Sequence, residues 1–350
     1  MSIFALGIEL DGEGSHPAAW RRASHPPSES LSGRTLTQKV RAAENAGFTL
    51  ATFEDSILPP PSGITGRVDA VNRASFVAAT TSTIGLVPVV ETTYAEPFHT
   101  SSQLATLDYS SRGRGGWIAA RVSDPAAARA WGRTALTERA DLDREQRDSI
   151  TVVRDLWDSW EDDAVVRDYA SGRFLDRDKL HYVDFEGKSF TVKGPAIVPR
   201  PPQGQLVVFG GEADRDQVDV VLVTKPDRET AVETARSSPG LTFIELAVTL
   251  DTPHASAVDR LTALNGPSPA GRRLEYVGTP EGFVELLTEL AGHTDGVRLF
   301  PTVIDEDLPV LARYVLPALF KSGVAHRPVP GSSLRANLGL GRPANRYARI

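Results

Sequence analysis

Polar side chains that are able to bind a ligand follow several apolar runs in the first half of the sequence. Asp55 comes just after one run, Thr92 and Thr93 follow the next, and Arg121 closes another. Groups at the carboxyl ends of parallel strands are suited to hold a cofactor, because that edge carries the active sites of α/β barrels. The alternative interpretation is structural. Asp55 would then cap a turn or a helix, and the two threonine hydroxyls would bond to nearby backbone.

Other residue types restrict the chemistry. The sequence has no cysteine, which excludes disulfides, thiolate metal sites and a cysteine nucleophile. Its seven histidines show neither HExxH nor another metal-ligand spacing, so we predict no metal site. No catalytic triad is visible either. His99 stands close behind Pro97, where it either bonds to local backbone or reaches a pocket.

Composition restricts the class of protein. The 350 residues are 41% hydrophobic, which is enough for a large core in one barrel or in two smaller domains. A net charge of −7 argues against a nucleic-acid surface. No apolar run approaches the roughly 20 residues that a membrane helix needs. The acidic start of the chain does not resemble a signal peptide. We therefore expect a cytoplasmic enzyme or binding protein.

Short apolar or β-branched runs alternate with amphipathic stretches along the chain. The predicted strands are Ile3–Leu10, Leu50–Glu54, Ile84–Val90, Gly115–Arg121, Leu206–Phe209, Asp219–Thr224, Leu241–Leu250 and Gly296–Phe300. The predicted helices are Thr37–Ala46, a helix from an Asp69 N-cap to about Ser82, Pro97–Ser110, Glu138–Trp160, Arg228–Ser237, Glu281–Ala291 and Leu308–Phe320. This alternation predicts parallel βαβ units, and eight of them close a (β/α)₈ TIM barrel. An open doubly wound sheet fits the same pattern.

Two stretches interrupt the alternation. Residues 161–204 form a polar insertion in which Phe185–Gly194 alternates in the manner of a small β-hairpin. Residues 321–350 are rich in proline, glycine and arginine, and we expect a tail that packs on the barrel or on a partner subunit. The expected organisation is a single barrel domain over residues 1–320, with the insertion inside it.

Several segments of the chain are similar to one family in the order in which that family carries them. They are Tyr94–His99, Gln103–Asp108, Ser111–Trp117, Leu156–Ala164, Asp176–His181, Gly194–Gly204, Gly278–Glu281 and Ser333–Tyr347. Together they resemble the nitrilotriacetate-monooxygenase branch of the bacterial-luciferase-like flavin monooxygenases. The resemblance implies a TIM barrel with a flavin at the carboxyl ends of its strands. It places Asp55 beside the flavin ring and the Thr92–Thr93 pair near it.

The resemblance also implies a reaction and its partners. A separate flavin reductase would supply reduced FMN, which reacts with O₂ and oxidises a small organic substrate, so the cofactor carries the chemistry. A deazaflavin is the alternative cofactor of related barrels. The resemblance further suggests a homodimer, with Phe76–Ala79 and Leu104–Leu107 as candidate interface faces.

The chain departs from the family in the region expected to hold the flavin. After Trp117, relatives carry an Asn-x-Val-Thr-Ser run, whereas this chain has Ile118–Ser123 with a new Arg121. A tyrosine expected near the start of the long helix is replaced by Asp143. Because Arg121 is the new cation beside the expected flavin position, we take it as a candidate cofactor-binding residue.

The expected phosphate site shows the largest departure. Relatives have a Gly-Ser-Ser turn after strand five that opens a helix, and a helix N-terminus binds anions. Here only residues 210–218 separate two strands, so we predict that this helix is truncated or lost. Glu212 and Asp214 would repel a phosphate, and Arg215 would offset part of that repulsion. FMN would then bind weakly. The main alternative function is a non-catalytic barrel that acts as a subunit or binding protein.

Overall fold

Parallel strands close into a barrel in the computed structural model, which describes residues 4–59, 66–266 and 270–348. In chain order the strands are β1 (Ala5–Glu9), β2 (Leu50–Phe53), β3 (Gly85–Glu91), β4 (Gly116–Ala120), β5 (Val165–Asp168), β6 (Arg173–Leu175), β7 (Phe185–Glu186), β8 (Thr191–Val192), β9 (Val207–Gly211), β10 (Val220–Val223), β11 (Leu241–Leu250), β12 (Leu274–Gly278) and β13 (Gly296–Pro301). The barrel runs β1, β2, β3, β4, β9, β10, β11 and β13, and each strand is hydrogen-bonded to the next. β13 pairs with β1, and β10 pairs with β11, so the ring is closed. The predicted barrel is confirmed, and the open sheet is wrong.

Helices pack outside the barrel and connect its strands. In chain order they are α1 (Gly33–Ala46), α2 (Ala70–Ala78), α3 (Pro97–Ser110), α4 (Pro125–Ala130), α5 (Arg139–Asp158), α6 (Arg228–Ser237), α7 (Ala257–Leu264), α8 (Pro280–Leu290), α9 (Ile304–Val310), α10 (Leu316–Lys321) and α11 (Leu334–Asn337). Within the described ranges, no helix is long and apolar enough to cross a membrane. The sequence pattern missed α4, α7 and β12. Ile3, where the first strand was expected to begin, lies outside the described residues.

The last predicted helix, Leu308–Phe320, is not continuous. The structure divides it into α9, a single π turn at Leu311–Val315 and α10. Pro309 and Pro317 lie on either side of this turn. Each proline removes a backbone N–H donor, which makes an uninterrupted α-helical bond ladder impossible. A π turn is one way in which a helix accommodates such a break.

Local capping explains where α1 and α2 begin and end. Ser32 accepts a hydrogen bond from the Thr35 N–H at the start of α1, and Gly47 ends this helix in the left-handed conformation, with φ 101°. Asp69 caps α2 as predicted. That helix ends at Ala78 rather than near Ser82, because the Arg114 guanidinium binds the carbonyl oxygens of Ala78 and Thr81.

Two neighbouring residues near the carboxyl end of α2 have opposite environments. The sequence pattern predicts both Phe76 and Val77 on the core side of this helix, but only Val77 is buried. Phe76 is 57% exposed, because the helical turn that directs Val77 towards the barrel directs the preceding side chain outwards. The prediction for Phe76 is therefore wrong.

The insertion over residues 161–204 contains two antiparallel hairpins. β7 pairs with β8 through Phe185–Val192 and Glu186–Thr191, which confirms the hairpin expected in this stretch. β5 and β6 form the other hairpin, which the sequence pattern did not predict. Arg200 fixes the end of the insertion, since its buried guanidinium forms ion pairs with Asp158 and Asp162.

The crossover between β9 and β10 is unusually short. A three-residue 3-10 turn, Glu212–Asp214, replaces the connecting helix found between other neighbouring strands. The predicted loss of the helix after strand five is confirmed. A turn of this length leaves the side chains after β9 close to the barrel end, and this shapes the candidate site.

The segment after residue 330 closes the amino-terminal end of the barrel. Leu334, at the start of α11, is fully buried in an apolar cluster with strand residues that include Leu50 and Phe243. Glycines make room for it: a Cβ atom on Gly85 would lie 2.6 Å from Leu334 Cδ1, and one on Gly116 would lie 3.0 Å from its Cδ2. The barrel interior therefore includes a side chain from outside its strands.

Candidate functional site

A cavity of about 780 Å³ opens at the carboxyl-terminal ends of β1, β2 and β13. Its volume lies within the range of ligand pockets in proteins, and barrel active sites occupy this end. Aromatic and aliphatic side chains form much of its wall: Trp20, Leu31, Leu36, Phe76 and Phe300. Such a wall is suited to a flat apolar ligand.

A buried charge cluster lies behind the floor of this cavity, and two of its members, Glu9 and Glu54, line the cavity itself. Arg298 projects from β13 and contacts the carboxylates of Glu9 at 2.5 Å, Glu54 at 2.7 Å and Glu245 at 2.8 Å. It also donates a hydrogen bond to the Thr52 hydroxyl. Although burial favours the neutral form, the three carboxylates raise the pKa of Arg298 above its ordinary value. The guanidinium is therefore held charged in the barrel interior.

Glu54 differs from the other two carboxylates of the floor. Its side chain is 35% exposed, whereas those of Glu9 and Glu245 are 7% exposed. Burial and the nearby carboxylates raise the pKa of Glu54, although Arg298 acts in the opposite direction. Glu9 also lines the cavity, but Glu54 is the acidic group of the cluster that is most exposed to a ligand there.

Ion pairs also stiffen the cavity wall. Asp11 receives both Arg67, at 3.1 Å, and Arg73, at 2.6 Å. On the other side, Lys39 contacts Glu13 Oε2 at 2.5 Å. These pairs connect loops that follow β1 and β2 to helices α1 and α2, so the wall is built by contacts that are distant in the sequence.

One group of side chains on this wall has the residue types of a metal site. Possible ligand atoms of Glu13, His25 and Asp305 lie within 4.8 Å of one another, although their sequence spacing did not indicate it. The Lys39 ammonium already contacts Glu13 in this group, and the Ser24 N–H and hydroxyl both donate to Asp305. The Lys39 side chain therefore already supplies a positive charge to this group of possible metal ligands.

Asp55 lies on the cavity wall, where its carboxylate also performs a structural task. One carboxylate oxygen accepts a hydrogen bond from the Ser56 N–H at 2.8 Å, and the other accepts from the Ala70 N–H at 2.6 Å. The second bond supports the start of α2. The structure thus places Asp55 beside the cavity and gives it the capping contacts of the alternative interpretation.

Thr92, Thr93 and Arg121 lie at the ends of β3 and β4, in the other half of the barrel mouth. The buried Thr92 hydroxyl is within hydrogen-bonding distance of the Ala120 carbonyl and of Gln146 Oε1. The buried Thr93 hydroxyl accepts a bond from the Val122 N–H. None of the three predicted residues contributes to the wall of the large cavity, in contrast to Asp55.

Arg121 is neutralised by acids of the chain. Its Nε lies 3.1 Å from Asp143, and its Nη2 lies 2.6 Å from Asp214 Oδ2. Gln146 Nε2 donates to the same oxygen at 2.7 Å. Burial raises the pKa of Asp214, although Arg121 acts in the opposite direction. The position beside β4 and β9 is therefore closed by a network of the protein's own side chains.

The second acid of the short turn is paired as well. Glu212 contacts Lys225 at 2.8 Å. Lys225 thus balances the charge of Glu212, and Arg121 balances that of Asp214. Arg215, which was expected to offset the charge of these two acids, is exposed and forms none of these contacts. The structure corrects the sequence interpretation on this point.

The two parts of an FMN molecule fit this barrel mouth differently. The apolar cavity wall is suited to the isoalloxazine ring. A phosphate dianion at the Glu212–Asp214 turn would face the Asp214 carboxylate, and like charges about 4 Å apart repel by about 4 kcal/mol at an effective dielectric constant of 20. The turn also has no helix behind it. The ring therefore fits the residues that are present, and the phosphate does not fit at this turn.

A histidine and two tryptophans, residue types that often line ligand sites, lie outside the cavity. His99 is exposed on α3 and contributes nothing to the cavity wall. Trp117 and Trp157 are buried and pack edge to face, with ring centroids 6.4 Å apart. The tryptophans are thus core aromatics.

Sequence reasoning missed the charge cluster on the cavity floor. Its signal was present, since Glu9, Glu245 and Arg298 each interrupt an otherwise apolar predicted strand. A lone charge in such a run is costly to bury without a partner. Charges of opposite sign in strands of one barrel therefore indicate that the strands bring them together.

Comparison with known proteins gives consistent matches. Residues 15–222 match the family described as luciferase-like monooxygenase. N-acetyl-S-(2-succino)cysteine monooxygenase of Bacillus subtilis is 27% identical over 98% of each chain, and nitrilotriacetate monooxygenase component A of Aminobacter aminovorans is 25% identical over 98% of each chain. A crystal structure of riboflavin lyase with modified FMN and riboflavin superposes with a TM-score of 0.82 at 20% identity, covering 98% of this chain and 97% of that one.

The alignment with the Bacillus subtilis enzyme also shows that this chain is shorter than that relative. The alignment with the Bacillus subtilis enzyme extends over 435 positions, whereas the chain has 350 residues. At least 85 positions of that alignment therefore have no residue of this chain. Shortened connections such as the β9–β10 crossover are consistent with this difference.

Proposed function

Because the chain belongs to the luciferase-like monooxygenase family, we propose that it is the oxygenating component of a two-component flavin monooxygenase. The resemblance identified from the sequence is confirmed at the level of the family. In the proposed reaction, a small organic substrate is oxidised by O₂ with a reduced flavin that a separate flavin reductase supplies. We place the enzyme in the cytoplasm.

The cavity at the ends of β1, β2 and β13 is the observation that carries this proposal. When bound there, a reduced flavin would supply the reaction with O₂. Trp20 and Leu31 offer apolar surface to the ring, and the buried Arg298 holds the Glu54 carboxylate at the cavity wall. Glu54 would exchange a proton or a hydrogen bond with the ligand. Asp55 remains our candidate for a contact to the ring edge.

We expect flavin binding to be measurable through Trp20, which lies in the cavity wall. Titration with oxidised FMN should quench tryptophan emission with a dissociation constant of about 10 µM to 1 mM. Loss of about 3–4 kcal/mol of phosphate binding would weaken affinity by a factor of roughly 10² to 10³. Trp20→Phe should remove most of the quenching. Trp131→Phe is the matched control, because Trp131 is 43% exposed and lies outside this cavity.

Two results would contradict this assignment. Equal quenching in Trp20→Phe and the unmodified protein would place the flavin elsewhere. Submicromolar FMN binding would show that a phosphate site exists that the turn after β9 does not provide. A parallel titration with a deazaflavin tests the alternative cofactor.

A second candidate function is a barrel without flavin chemistry that acts as a subunit or binding protein. The network of Arg121, Asp143 and Asp214 favours it, because these side chains occupy the position at which the family resemblance places the cofactor. Absence of binding to FMN, riboflavin and deazaflavin would support this second function over the first. Oxygen consumption with a flavin reductase, NADH and candidate organic substrates then tests catalysis directly.

We also propose a homodimer, which uses only one of the two candidate faces, Phe76–Ala79. Leu104 and Leu107 are fully buried in the protomer, so that face is not available. In Phe76–Ala79, Phe76 is the exposed large side chain. We expect sedimentation velocity at micromolar concentration to give the mass of two chains. A single species with the mass of one chain would contradict the dimer.

A further inference from the structure

The donors around Asp214 form an anion-binding arrangement. A guanidinium N–H of Arg121 and an amide N–H of Gln146 converge on one oxygen, at 2.6 Å and 2.7 Å. Gln146 is 1% exposed and Asp214 is 2% exposed. Guanidinium and amide donors bind both carboxylate and phosphate oxygens. The chemistry of this pocket is thus that of a small anion site.

The occupant of the site comes from the chain itself. Arg121 follows β4, Asp214 follows β9 and Gln146 lies on α5, so the three side chains meet at the carboxyl-terminal mouth of the barrel. The tight turn after β9 directs Asp214 inwards. Gly210 permits this turn, because a Cβ atom there would lie 2.8 Å from Val218 Cγ1 and 3.4 Å from Asp214 Cβ. The short crossover therefore supplies the anion.

The local charges leave no capacity for a second anion. Arg121 contacts both Asp143 and Asp214, and Arg139 also contacts Asp143, so the two carboxylates balance the two guanidinium groups and leave no unpaired cation among them. The other oxygen of Asp214 is buried and has no hydrogen-bond partner. A ligand phosphate entering this position would have to displace the carboxylate or approach it with like charge.

We propose that Asp214 is a built-in occupant of an anion site, and that it makes the barrel select a flavin without a phosphate, of the riboflavin type, over FMN. The flavin part of this proposal rests on the proposed function. The self-occupied anion site does not depend on it, because it follows from the contacts of Arg121, Gln146 and Asp214 alone.

The test compares Asp214→Ser with the unmodified protein in titrations with riboflavin and FMN. We expect the unmodified protein to bind riboflavin more tightly than FMN. In Asp214→Ser, the affinity for FMN relative to riboflavin should rise by about tenfold or more, a change that corresponds to about 1.4 kcal/mol. Glu212→Gln is the matched control, because Glu212 lies in the same turn but is paired with Lys225. In this variant, the affinity for FMN relative to riboflavin should stay the same as in the unmodified protein.

A second measurement does not require flavin binding. Inorganic phosphate at constant ionic strength should raise the melting temperature of Asp214→Ser and leave that of the unmodified protein unchanged. Asp214→Asn, which keeps the size of the side chain and removes its charge, replaces the serine variant if the latter fails to fold.

The outcomes separate this inference from the proposed function. Phosphate stabilisation of the variant without binding of any flavin would support the self-occupied site and overturn the proposed function. Flavin binding with an unchanged FMN-to-riboflavin ratio and no phosphate effect would overturn the role of Asp214. Tighter binding of FMN than of riboflavin by the unmodified protein would also overturn it.

Discussion

Replacement of Arg298 by methionine is expected to lower the free energy of unfolding by about 3–5 kcal/mol, or to prevent folding, because it leaves buried carboxylates without their cation. Arg298 is buried at the centre of three glutamates, and two of them, Glu9 and Glu245, are themselves nearly fully buried. Urea denaturation at neutral pH measures the effect. The loss should be smaller in acid, where protonation removes the repulsion among the carboxylates.

The control for this variant is Arg313→Met. Arg313 is exposed on the π turn and, among the described contacts, is close only to the ring of Tyr314. Its replacement should change stability by no more than about 0.5 kcal/mol. Adding Glu9→Gln and Glu245→Gln to Arg298→Met should recover part of the loss. Unchanged stability of Arg298→Met itself would show that the cluster is not held by charge.

Leu334→Ala is expected to cost about 2–5 kcal/mol, as for other fully buried leucines. The side chain fills the amino-terminal end of the barrel against Gly85 and Gly116, whose lack of a Cβ atom shapes its space. Rigid strands surround the vacated volume, so little of it will close by relaxation. The midpoint of urea denaturation should fall while the slope stays the same.

Val329→Ala is the control for the Leu334 variant. Val329 lies five residues before Leu334, next to the same segment, and is 59% exposed. Truncation there should change stability by no more than about 0.5 kcal/mol. If Leu334→Ala behaved like this control, the segment would be a surface addition rather than part of the core.

Much of the fold follows from local pattern. The strand Leu241–Leu250 and the helix Pro97–Ser110 were predicted to the residue, because their hydrophobic period and their proline are local signals. The end of α2 was not predictable in this way. It depends on Arg114, which lies 36 residues beyond Ala78 and binds its carbonyl oxygen.

The candidate site was harder to predict from the sequence than the fold, because its main contacts join residues that are far apart in the chain. Glu9 and Arg298 are 289 residues apart in the chain and 2.5 Å apart in the structure. Resemblance to a family selected Asp55 and Arg121 by position in the chain. Resemblance could not show which of them would meet the cavity and which would be bound by Asp214.

The position of Leu334 in the chain has a consequence for synthesis on the ribosome. Leu334 is synthesised after every barrel strand. A nascent chain can therefore have all eight strands outside the exit tunnel before Leu334, which closes the amino-terminal end of the barrel, emerges. During that interval the apolar interior is exposed at one end, and such exposure favours aggregation. A premature stop before residue 334 would make this state permanent, and we expect such products to be substrates for chaperones and proteases.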